Sequence, residues 1–117
     1  MIITKKDLND KNEYKTNSLI CEDEIILEED IGVVVFKNKL ISKKHILAKA
    51  GTGIKAGDGI EAGDGIEAGW GIITLNGGIV AKWFSCLKLT VGFYSKEKQT
   101  LQGKLKKGII LGDFKNK

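Results

Sequence analysis

Aliphatic residues recur through the middle of the chain at an interval of six, which matches neither a 3.6-residue helix nor an uninterrupted strand alternation. Four hexads run without a gap: Ala50-Gly-Thr-Gly-Ile-Lys55, Ala56-Gly-Asp-Gly-Ile-Glu61, Ala62-Gly-Asp-Gly-Ile-Glu67 and Ala68-Gly-Trp-Gly-Ile-Ile73. Each reads as a short strand, Ile-x-Ala, followed by a Gly-x-Gly corner. Alternate strand side chains share a face. The pattern therefore predicts Ile54, Ala56, Ile60, Ala62, Ile66 and Ala68 pointing inward, with Lys55, Glu61 and Glu67 pointing to solvent. The glycines are assigned to corners that need positive φ, which a residue without Cβ adopts at least cost.

The same unit, a large aliphatic, any residue and a small one, extends into less regular sequence. It recurs as Leu40-Ile-Ser42, Ile46-Leu-Ala48, Ile72-Ile-Thr74 and Ile79-Val-Ala81, with extra residues placed at corners. Leu19-Ile-Cys21, Ile25-Ile-Leu27 and Ile31 to Phe36 are predicted strands upstream. Downstream, Leu87-Lys-Leu89, Val91-Gly-Phe93, Leu101, Leu105 and Ile109-Ile-Leu111 are predicted short strands, and residues 4–14 a helix or mobile arm. Such self-similarity is the mark of a solenoid. The domain plan is an N-terminal arm or cap over 1–17, a solenoid over 18–113 and a tail over 114–117. A helical winding of the repeat is excluded: eight of the twenty-four residues from Ala50 to Ile73 are glycine, each costing about 1 kcal/mol in a helix interior.

Stacking constrains the coil. Residues on successive coils lie above one another, so like charges in one column repel. One hexad per coil puts Asp58 on Asp64 and Glu61 on Glu67. Three hexads put Asp64 on Lys82, Ile54 on Ile72 and Lys55 on Ile73. Two hexads put Lys55 on Glu67, which charge also permits. The triangular coil is preferred. The fold class is thus an all-β, single-domain β-solenoid, a parallel β-helix with triangular coils and unassigned handedness.

With 117 residues, 42% of them hydrophobic, the chain suits one domain with its own core. It shows no apolar run of the ~20 residues a spanning helix needs, and its first residues lack a secretory pattern. A cytoplasmic location, the host cytoplasm for a phage-encoded protein, and no membrane partner are expected. Net charge is +4, unevenly spread: residues 1–30 carry four Lys against nine acids, 31–49 five Lys and no acid, and 74–117 nine Lys against two acids. All nineteen basic residues are lysine. Without arginine, the side chain suited to bidentate guanine recognition, sequence-specific DNA binding is not expected.

No catalytic set emerges. His45 is the only histidine and has no nucleophile spaced to pair with it. Cys21 and Cys86 lie in no ligand spacing and are expected to be buried thiols. The acids Asp58, Glu61, Asp64 and Glu67 are expected to form a solvated acidic ridge, not a metal cluster. No cofactor or metal is expected. Trp70 takes the place of Asp at a corner, and an aromatic stretch runs from Trp83-Phe84 to Phe93-Tyr94. Exposed aromatics mark binding hot spots, although Trp83 or Phe84 can equally plug the core. The candidate partner-binding residues are Trp70, Lys82, Trp83, Phe84 and Lys88 with Asp58, Glu61, Asp64 and Glu67. An incompletely capped solenoid end also predicts a homodimer.

The block from Gly53 to Ile72, with Leu19-Ile-Cys21 upstream and Gly103-Lys-Leu-Lys-Lys-Gly-Ile-Ile-Leu-Gly112 downstream, resembles small bacterial and phage "GIEAGWGIEAG" hexapeptide-repeat proteins. That resemblance implies a β-helix and a mobile-element origin, and carries over no catalytic residue. The left-handed hexapeptide β-helix of acyltransferases places its small residue two before the aliphatic; here it comes two after. The expected function is a non-catalytic protein-binding module, a phage or mobile-element inhibitor of a host protein or ribonucleoprotein such as a CRISPR-Cas effector. A bactofilin-like scaffold that self-associates through its ends is the alternative, and a hexapeptide-type acyltransferase the third.

Overall fold

In the computed structural model, which describes residues 1–90, 99–111 and 114–116, each hexad of the repeat forms one strand. The strands, in chain order, are β1 (Ile2–Ile3), β2 (Leu19–Cys21), β3 (Ile25–Leu27), β4 (Gly32–Phe36), β5 (Lys39–Ser42), β6 (Ile46–Ala48) and β7 (Thr52–Ala56). They continue as β8 (Gly59–Ala62), β9 (Gly65–Ala68), β10 (Gly71–Thr74), β11 (Ile79–Thr90), β12 (Gln99–Leu111) and β13 (Phe114–Asn116). All pair in parallel, and the chain winds through about five turns of a β-solenoid.

Three ladders make three faces. Face A stacks β2, β5, β8 and the start of β11. Face B stacks β1, β3, β6, β9 and the middle of β11. Face C stacks β4, β7, β10 and the end of β11. The triangular coil is confirmed in register: Ile54 pairs with Ile72 and Lys55 with Ile73, while the Lys82 amide donates to the Asp64 carbonyl at 2.8 Å. Glu67 lies on another face, beside Leu47.

The register aligns the core in columns. Leu40, Ile60 and Ile79 stack on face A; Ile25, Ile46, Ile66 and Phe84 on face B; Val34, Ile54, Ile72 and Leu89 on face C. All are essentially inaccessible to solvent. β-branched isoleucine suits such a pleated, half-buried surface, and each buried aliphatic contributes roughly 1.5–3 kcal/mol. Where the small inward position is Ser or Thr, its hydroxyl serves a corner. Ser42 donates to the Asp23 carbonyl (2.7 Å), Thr52 to that of Glu28 (2.6 Å) and Thr74 to that of Gly77 (2.6 Å).

The reason for the corner glycines differs from the expected one. Among the glycines of the perfect repeat only Gly51 (φ +76°) and Gly59 (φ +158°) have positive φ. What selects glycine is proximity of the preceding coil. A Cβ on Gly57 would collide with the Lys37 carbonyl, on Gly63 with the Lys43 carbonyl, and on Gly77 with the Asp58 carbonyl.

The first residues join the solenoid. Ile2 and Ile3 pair with Ile26 and Leu27 on face B, and Glu13 bridges to Val35 on face C. Between them a short 3-10 helix, Lys5–Asp7, leads to an antiparallel bridge between Leu8 and Tyr14. Ile3 is fully buried and Tyr14 nearly so, its ring 5.4 Å from that of Phe36, with Leu8 packed against the same core. This end of the core is covered.

At the other end, β11 and β12 each run across all three faces, bending through register shifts; β11 rounds its corners without glycine, whereas in β12 Gly103 and Gly108 stand where a Cβ would collide with the Ala81 and Cys86 carbonyls of the preceding turn. Leu87–Leu89 falls inside β11, and Leu101, Leu105 and Ile109–Leu111 belong to the single strand β12. Val91–Phe93 and Tyr94 lie outside the described residues.

Corner packing predicts that Gly63→Ala lowers stability by about 2 kcal/mol or more, because a rigid carbonyl must move. Lys43→Ala on the exposed side of the same corner should change it by less than about 0.5 kcal/mol. Urea unfolding followed by circular dichroism reads both, and equal effects would contradict the corner account.

Candidate functional site

The candidate residues divide among several surfaces. Phe84 is corrected first: it is fully buried in the face B column, so it fills the core and offers nothing to a partner. The four acids do not assemble into one ridge. Asp58 sits at the corner between faces C and A, Glu61 faces out on A, Asp64 holds the corner between A and B, and Glu67 faces out on B. Triangular winding separates consecutive hexads by a corner. Among the described residues, no group of three or more His, Cys, Asp and Glu is placed to hold a metal ion.

Stacking turns the charge pattern into layers. Counting turns from face A, residues 19–38 carry six acids and one Lys, 39–58 five Lys and one acid, and 59–78 three acids and no Lys. Residues 79–90 and 99–111 contain lysines and no acid. Successive turns are thus acidic, basic, acidic, basic and basic. Along the corner between A and B the alternation becomes an ion-pair ladder: Lys44 Nζ lies 3.0 Å from Asp23 Oδ1, and Lys82 Nζ 3.5 Å from Asp64 Oδ1. The hydrogen bond and charge of Lys44 hold Asp23 below the usual carboxylate range, and Asp23 raises Lys44 in return. Lys82 is committed to this ladder.

Trp83 is also engaged within the molecule. Its ring lies over Gly65, where any Cβ would strike the indole, and meets the His45 ring edge-on at 5.2 Å between centroids. Lys106 Nζ covers the same ring at 4.4 Å. Half-buried, Trp83 packs a face of the solenoid, with His45 as its packing partner.

Trp70 and Lys88 do come together. The Leu87 amide donates to the Trp70 carbonyl at 2.8 Å, and Lys88 pairs with Gly71, so the two corner residues sit on successive turns. Trp70 is 46% exposed and Leu87 57%. On the adjoining face C, Ile109 pairs with Lys88 and is 61% exposed, while Val33, 39% exposed, lies beyond Gly53 and Gly71. The glycines leave a shallow cleft of about 190 Å³ between Val33 and Lys88. Across the same corner a wider depression of about 360 Å³ runs between Lys49, Glu67 and Leu87. Trp70 and Leu87 form a ridge between two hollows.

Leu87, Ile109 and Val33 were not among the expected surface residues. In β11 Phe84 and Cys86 point inward, two exposed positions follow, and Leu89 points inward again. The corner inserts one residue into the period-two alternation and turns Leu87 outward. The only sequence signal is the interval from Cys86 to Leu89, which fits no even spacing.

The thiols differ: Cys86 is buried and Cys21 half-buried, both free. Burial pushes the Cys86 thiol up to about 11. Native protein at pH 8 should therefore be alkylated by iodoacetamide at Cys21 well before Cys86, read by peptide mass spectrometry; equal rates would contradict the burial. In a Trp70→Phe background, Gly65→Val should expel the Trp83 ring and shift its emission to the red, and an unchanged spectrum would contradict the placement.

Comparison with protein-family models, with curated proteins and with solved structures gives no match to this chain.

Proposed function

We propose that the protein is a non-catalytic binding module that engages a macromolecular partner through the Trp70–Leu87 ridge. The observation that carries this is the grouping of exposed Trp70, Leu87, Ile109 and Val33 around Lys88; Met1, Ile2 and Ile20 are exposed elsewhere, but with no exposed tryptophan beside them. An exposed apolar group rimmed by polar residues marks an interaction site, and tryptophan is the residue most enriched in interface hot spots. A rigid parallel coil presents that ridge already ordered, which reduces the entropic cost of binding.

In its narrower form the reading makes the partner a host protein or ribonucleoprotein and this chain a mobile-element inhibitor of it, an anti-CRISPR or related anti-defence protein. That form is supported by the repeat resemblance alone. End-to-end polymerisation is less favoured, because Ile3, Leu8 and Tyr14 already cover one end of the core.

The expected outcome is that affinity capture from the encoding cell's host recovers one saturable partner. Trp70→Ala combined with Leu87→Ser should weaken it roughly thirty-fold, as loss of a hot spot of about 2 kcal/mol implies. Lys82→Ala, removing an exposed corner ion pair, should have less than about a three-fold effect. Undiminished capture by the double variant would remove the ridge as the site, and no saturable partner would remove the reading.

A further inference from the structure

Gly65 on face B and Gly71 on face C occupy equivalent places in the coil. Each precedes an inward isoleucine and pairs with the β11 residue that precedes an inward side chain of the next turn. On face B that residue is Trp83, whose ring lies over Gly65 with His45 at its edge and Lys106 above it. On face C it is the exposed Lys88, and among the described residues no ring covers Gly71. The place is instead an apolar cleft of about 190 Å³ walled by Val33, Ile73 and Thr90, with Lys88 at its end. The backbone does not call for this opening as it does at the corners: Gly71 has no positive φ, and a Cβ there would meet only Lys88, the carbonyl oxygen at 3.2 Å and Cβ at 3.9 Å.

We propose that the cleft receives one aromatic side chain of a partner protein, with a carboxylate of the same partner seated on Lys88. The inference rests on the binding-module reading and names the chemistry that the partner brings beside the Trp70–Leu87 ridge. Size sets the first part. A cavity of about 150 Å³ holds benzene, so this one takes a single ring, and it falls below the roughly 300–1,000 Å³ of sites that enclose a free small molecule. A lone ring in a pocket is the anchor of a larger interface, here continued by the ridge. Charge sets the second part. The strands of face C carry Lys55 and Lys88 and no acid, so a carboxylate beside the ring is complementary, while a second copy of the same face is repelled. The hollow of about 230 Å³ on face A is bordered by Asp58 and Glu61 as well as Lys39, and its two carboxylates oppose that anion. A nucleotide would offer a ring and a phosphate, but the polar edges of its base would go unpaired against Val33 and Ile73.

The test titrates the full, isotope-labelled chain with phenylacetate, acetate, phenethylammonium and thymidine monophosphate, following amide resonances by NMR. Phenylacetate should move the signals of Gly71, Ile73 and Lys88 and bind roughly ten-fold more tightly than the other three probes, since it alone brings an apolar ring and a carboxylate together. Lys88→Gln should weaken it about three-fold, as expected for an exposed ion pair. Gly71→Leu, which fills the cleft, should abolish the shifts and lower capture of the host partner at least about ten-fold. Acetate or thymidine monophosphate binding as tightly as phenylacetate would identify a general anion surface and overturn the proposal. So would shifts centred on Gly59 and Gly78 of face A, or undiminished binding and capture by Gly71→Leu. Should that variant misfold, Lys88→Trp takes its part by laying an indole over Gly71 as Trp83 lies over Gly65, and retained phenylacetate binding by it would overturn the proposal equally. Trp70→Ala with Leu87→Ser should leave phenylacetate binding within about two-fold, because neither residue lines the cleft, so failure of the ridge and failure of the cleft are read separately.

Discussion

Direct stacking of each coil on the one before it, at the ~4.8 Å spacing of paired strands, is the constraint from which the rest of this structure follows. At the faces it costs nothing, since hydrogen-bonded strands lie that close anyway. At the corners it is severe, because two bends must nest with their backbones in contact. Gly57, Gly63 and Gly77 meet it by having no Cβ to set against the carbonyl beneath. Ser42, Thr52 and Thr74 help from inside, supplying hydroxyl donors to carbonyls that the corner turns inward. With corners this tight, the strands between them hold register and the isoleucines fall into columns.

Stacking also makes neighbours of charges far apart in sequence. Asp23 and Lys44 are separated by twenty-one residues and meet at 3.0 Å, and Asp64 meets Lys82 one turn further on. Each exposed pair adds little by itself. Its larger effect is on the size of the coil, since a coil of one hexad would bring Asp58 over Asp64 and Glu61 over Glu67.

Regularity and exposed apolar surface occupy different parts of the molecule. The strict repeat closes its core and points its charges outward singly. Surface character enters where the repeat lapses: at Trp70, which stands where the preceding hexads have Asp, and along β11 and β12, which round their corners through shifts in register. Those shifts re-aim side chains and produce the exposed Leu87 and Ile109. Trp83 shows the opposite outcome. Opposite a glycine, its ring lies flat on the face and is held by His45 and Lys106.

The sequence by itself determined the solenoid and the inward set from Leu40 to Ala81 and excluded a one-hexad coil, while the choice of three hexads over two came from the register of the strands. Their physics is local or repeats at a fixed interval: strand alternation, a corner every six residues, and the penalty on like charges in one column. It also placed Trp70 and Lys88 among the candidate surface residues. Only the tertiary structure decided why the corners are glycine, since the clash is with a carbonyl some twenty residues away and not with the residue's own φ. Only it decided that Phe84 is core while Trp83 packs a face, because their assignment depends on which side of a corner the alternation restarts. The same holds for Leu87, whose outward turn follows from one residue inserted at a bend, which the odd interval from Cys86 to Leu89 marks only once both are known to point inward.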